Sequence, residues 1–60
     1  MNINYDKLFI FMCKNRYFED VKNLYYQKPD IDTGSENEEA FRYSCKNGHL
    51  DVAKWLYEIK

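Results

Sequence analysis

The chain carries one phrase twice. Residues 13–26 read CKNRYFEDVKNLYY, and residues 45–58 read CKNGHLDVAKWLYE, thirty-two positions later. With residues 6–28 laid on residues 38–60, eight pairs are identical: Phe9/Phe41, Cys13/Cys45, Lys14/Lys46, Asn15/Asn47, Lys22/Lys54, Leu24/Leu56, Tyr25/Tyr57 and Lys28/Lys60. Chance at this composition gives only about one or two, and a fixed period of this length is the signature of a repeat architecture. A duplicated unit restricts the fold to structures in which one half packs on the other in the same way that further copies would.

Each unit reads as two short helices. Leu8, Phe9, Met12 and Cys13 recur at helical spacing, and Phe18, Val21, Leu24 and Tyr25 do so again. In the second unit the stripes are Ala40, Phe41, Ser44 and Cys45, then Val52, Ala53, Leu56 and Tyr57. No segment alternates apolar and polar residues over a strand's length, so strands are not expected. Asn4 is placed to cap the first helix. Pro29 cannot continue the second, and residues 29–35, PDIDTGS, form a turn-rich connector. Ser35 with Glu38 has the spacing of a capping box for the third helix. Gly48 sits between the last two stripes, where a left-handed residue reverses the chain without steric cost. Arg16 holds the matching place in the first unit, so that turn is expected to be strained or built differently.

The expected fold is therefore all-α. It has four short helices in two stacked helix-turn-helix units, a degenerate one over about residues 4–34 and a second over about residues 35–60. Sixty residues bound the chain to a single domain that buries only about 60 % of its unfolded surface. A net charge of −1, from nine basic and ten acidic residues, is no footprint for nucleic acid. Two cysteines are too few for a secreted disulfide framework and point to reduced thiols inside a cell. The longest apolar run, residues 8–13, falls far short of the roughly 20 residues that cross a bilayer. The N-terminus does not read as a signal peptide. An intracellular protein with no membrane or nucleic-acid partner is expected.

Residues 47–56, NGHLDVAKWL, carry a further signal: a Gly-His pair, an acidic residue two positions on, and a V-A-x-x-L pattern. They resemble the second half of an ankyrin repeat. PDID resembles the segment that opens the β-turn of that repeat. The wording EAFRYSCKNGHLDVAKWLYE is especially similar to the divergent ankyrin repeats of giant DNA viruses that infect amoebae. The likeness is strong over residues 38–60 and weak over residues 4–28. The Thr-Pro-Leu-His tetrapeptide of that family is replaced by residues 39–42, EAFR, and by residues 7–10, KLFI. The resemblance implies Gly48, His49, Leu50 and Leu56 as structural motif residues. It implies a non-catalytic protein-interaction module whose binding positions lie on loop tips and inner first helices. Mapped one by one, these are Ser35, Glu36, Glu38, Lys46 and Asn47, with Lys14 and Asn15 as first-unit equivalents.

Cys45 and His49 are four apart, but zinc wants about four ligands in close pairs, and the chain has one histidine and no C-x-x-C. The two cysteines are expected as small core residues of adjacent helices, too far apart for a disulfide. A Cys45–His49 nucleophile pair needs a third orienting group and a pocket. A two-unit chain is expected to offer no hollow of a few hundred cubic ångströms, so no enzyme, cofactor or metal is expected. Glu36, Glu38 and Glu39 read as favourable charge at a helix start. Lys14, Lys46 and Arg42 make only a weak basic stripe. Solenoid units usually need three or more copies, so the last helix, with Trp55 and Ile59, is expected to present an uncovered apolar face open to a protein partner or to self-association. Two alternatives remain. One is a remnant of a longer array with no function of its own. The other is a small helical nucleic-acid binder.

Overall fold

A computed structural model describes residues 3–59. Among these residues all regular structure is helical, in four short elements: α1 (Tyr5–Lys14), α2 (Phe18–Gln27), α3 (Ser35–Lys46) and α4 (Leu50–Glu58). Helices α1 and α2 form one hairpin and α3 and α4 the other, and α1 packs along α3 to join them. Lys60, the repeat partner of Lys28, lies outside the described residues. No helix among the described residues is long and apolar enough to cross a membrane.

The two hairpin turns are built bond for bond alike. In the first, the Arg16 N–H donates to the Cys13 carbonyl (3.3 Å) and the Tyr17 N–H to the Met12 carbonyl (2.9 Å). In the second, Gly48 donates to Cys45 (3.2 Å) and His49 to Ser44 (2.8 Å). Both are Schellman closures, which require a left-handed residue just past the helix end. Gly48 supplies φ +74° and Arg16 φ +58°. The first turn is thus the same turn made with a residue that fits it poorly. An L-residue side chain in that region costs about 1–2 kcal/mol.

Asn4 caps α1 as its position implies: its Oδ1 accepts from the Lys7 N–H at 3.0 Å. The capping box at Ser35 and Glu38 is not formed. Gly34 holds the cap position of α3, and Glu36, Asn37 and Glu38 have φ of +57°, +59° and +60°. A box needs these three residues right-handed so that the Glu38 side chain reaches back, and here the backbone coils the other way. Instead Asp32 Oδ1 accepts from the Gly34 N–H (3.1 Å), while Arg42 donates from Nε to the Asn37 carbonyl (2.9 Å) and from Nη2 to that of Glu36 (3.4 Å). The left-handed turn is held by a side chain from within its own helix.

The core is Phe9, Ile10, Cys13, Val21, Ile31, Ala40, Val52 and Leu56. Ile31 is the unexpected member. It plugs the connector into the core at 8 % exposure, and the next residue, Asp32, donates its N–H to Asp6 Oδ1 at 3.0 Å. The connector is thereby tied to the first turn of α1. Ser44 is fully buried, and its Oγ has no hydrogen-bond partner. Both cysteines are free, but only Cys13 is core, and Cys45 is exposed. Cys13 is covered by the second hairpin, whereas among the described residues nothing covers the equivalent side of that hairpin.

Candidate protein-interaction surface

Helices α1 and α3 lie side by side, and the turn that opens α3 closes one end of the furrow between them. Lys7, Ile10, Phe11 and Lys14 of α1 and Glu36 and Glu39 of α3 line a groove of about 330 Å³. The expectation that two units offer no hollow of this size is therefore corrected: the space opens between the two first helices rather than within one hairpin. Its electrostatics alternate. Lys14 Nζ donates to Glu39 Oε2 at 2.8 Å and lies 4.1 Å from the centre of the Tyr43 ring. The hydrogen bond to Glu39 holds the Lys14 ammonium above its ordinary range against a partial loss of solvation. Lys46 Nζ also lies over this ring, 5.5 Å from its centre.

Phe11 stands out of this groove. It is 53 % exposed, and its ring meets that of Tyr17 edge-on, with ring centres 6.0 Å apart. Phe11 and Tyr43 are repeat equivalents, so each unit contributes one aromatic side chain to the same row. Neither belongs to the apolar stripes read from the sequence. The signal that finds them is an aromatic residue off the stripe at the same register in both units.

The residues expected to meet a partner fall into three groups. Lys14 and Glu36 line the groove, with Ser35 and half-buried Glu38 in the turn that closes it, and Lys46 sits beside Tyr43. Asn15 and Asn47 are exposed helix ends, and the Asn15 Nδ2 donates to the Phe11 carbonyl at 2.8 Å. They close helices and do not enter the groove. Trp55 is elsewhere altogether. It is half buried, with ring centres 6.0 Å from Phe9, 6.0 Å from Phe18 and 5.7 Å from Tyr25. The expected uncovered Trp55 face is corrected: the side of α4 that carries Trp55, Val52 and Leu56 faces the first hairpin.

The motif residues divide as well. Gly48 takes the left-handed turn and Leu56 is 4 % exposed. His49 Nδ1 approaches the Cys13 carbonyl at 3.4 Å, linking the second turn to the end of α1. Leu50, expected as a structural residue, is 70 % exposed, and Tyr57, read as part of the α4 stripe, is 76 % exposed. The Arg16 guanidinium meets Asp51 at 3.3 Å, a second bridge between the units. Partial desolvation pushes the Asp51 carboxyl up, but the Val52 N–H and Arg16 outweigh it and hold it below its ordinary range.

No family model, curated protein or solved structure matches the chain.

Proposed function

We propose that this chain is a non-catalytic protein-interaction module of the ankyrin-repeat type, and that it takes its partner along the furrow between α1 and α3. The observation that carries the reading is the row of Phe11 and Tyr43 at one register of both first helices, flanked by Lys7, Lys14, Glu36, Glu39 and Lys46. Affinity at protein interfaces concentrates in a few aromatic and cationic anchors surrounded by polar rim contacts. The internal duplication, the paired hairpins and the resemblance of residues 38–60 to an ankyrin repeat support the same reading. A partner with an acidic segment beside an apolar one suits this row: Phe11 offers the apolar contact, and Lys7 and Lys46 the charge.

Photo-crosslinking tests it. A photoreactive residue is placed at Lys7, on the groove, in one sample and at Asn23, on the exposed side of α2, in another. A single protein captured from Lys7, and lost when Phe11→Ser is added while the helical circular dichroism persists, supports the groove. Capture from Asn23 alone, or equal capture from Lys7 with and without Phe11→Ser, overturns it.

A further inference from the structure

The internal repeat shows what fits its own open side. Trp55 of the second unit docks on three residues of the first: Phe9, Phe18 and Tyr25, with ring centres 5.7–6.0 Å away. Shifted by thirty-two, those three become Phe41, Leu50 and Tyr57. Phe41 is half buried, and Leu50 and Tyr57 are 70 % and 76 % exposed. Cys13, buried beneath the second unit, becomes exposed Cys45. The second unit thus repeats the seat that the first unit offers to Trp55, and among the described residues nothing occupies it.

The opposite side of the stack differs. Val52 and Trp55 of α4 and Ile59 just past its end, all packed in or against the core, correspond to Asp20, Asn23 and Gln27 of α2, all exposed. The first unit therefore has a polar outer face and cannot supply the ring that the open seat needs. A head-to-tail chain of copies would set Leu50 and Tyr57 against a carboxylate and two amides.

We propose that the Phe41–Leu50–Tyr57 face is a docking seat for a third helical hairpin carrying the second unit's chemistry: an aliphatic residue at the Val52 position and an aromatic ring at the Trp55 position. This seat lies on the α4 side, apart from the α1–α3 groove, and stands or falls independently of it.

The test joins a copy of residues 29–60, with Cys45→Ser in the copy, after Lys60 so that the thirty-two-residue period continues. The readout is the rate at which Cys45 of the original chain reacts with a maleimide. Docking covers Cys45 as Cys13 is covered now, and a covered thiol reacts only on opening, so its labelling slows about tenfold or more. The added copy bearing Val52→Asp and Trp55→Asn, the first unit's own residues, leaves labelling fast, as does Leu50→Asp in the original chain. Leu50 is exposed, so that variant leaves the parent's helical signal unchanged. Unslowed labelling in a fusion whose helical content has risen in proportion to its length overturns the seat. So does equal protection by the polar copy. A concentration-dependent dimer of the chain alone that Leu50→Asp dissolves overturns it in favour of a second copy.

Discussion

Arg16 and Gly48 hold the same place in two turns with identical hydrogen bonds, so the pair isolates the cost of a Cβ in a left-handed residue. Nothing lies within 4 Å of a Cβ built on Gly48, which leaves only the backbone term. Gly48→Ala is expected to destabilise the fold by about 1 kcal/mol. Arg16→Gly is expected to stabilise it by about 0.5–1 kcal/mol, since the exposed ion pair to Asp51 that it gives up is worth little. Urea midpoints of the two variants check both signs. The cysteines form a second matched pair. Burial pushes the Cys13 thiol up from 9.0 to about 12. The folded chain keeps this proton where the unfolded chain releases it, so the contribution is full below pH 9 and fades as pH rises toward 12. The urea midpoint of the parent is expected to fall more steeply above about pH 9 than that of Cys13→Ala. At neutral pH, maleimide should modify Cys45 at once and Cys13 only on unfolding.

At the scale of the helix, the sequence marks beginnings and ends well where one side chain decides them. Asn4 before α1, Pro29 after α2 and Gly48 after α3 act through local geometry and are legible from type and spacing. Asn4→Ala, which removes the side-chain cap of α1, should cost about 1 kcal/mol in a chemical melt. The start of α3 is not legible in this way. Ser35 and Glu38 have the right spacing for a box, yet Glu36, Asn37 and Glu38 form a left-handed turn whose carbonyls Arg42 grips from the next turn of the helix. Which of two local solutions wins depends on where the connector is anchored. Buried Ile31 and the Asp32–Asp6 bond fix that point from outside the helix.

At the scale of the molecule, stability rests on the joint between hairpins. A chain of sixty residues holds roughly 3–9 kcal/mol at the usual 0.05–0.15 kcal/mol per residue. Trp55 closes the joint on Phe9, Phe18 and Tyr25. Trp55→Ala should cost about 3 kcal/mol, the low end for a large aromatic because the ring is only half buried. Its circular dichroism melt should lose most of its cooperativity, and a midpoint within a few degrees of the parent's would show that the joint is carried elsewhere. The same joint explains which parts of the candidate surface are not legible in the sequence. Lys14 and Glu36 come from an alignment to a familiar motif, whereas Phe11 and Tyr43 become a row only when α1 is laid beside α3.

The amino-acid order alone determines four helices, their duplication and the left-handed turn at Gly48, because periodicity, caps and a glycine's freedom are local properties of a few neighbouring residues. It does not determine which copy of a repeated residue is covered. Cys13 and Cys45, Phe18 and Leu50, Tyr25 and Tyr57 are near-equivalents in sequence. Only the stacking of the second hairpin on the first decides that one member of each pair is packed and the other faces water, because burial depends on what lies across a joint and not on the residue that waits there.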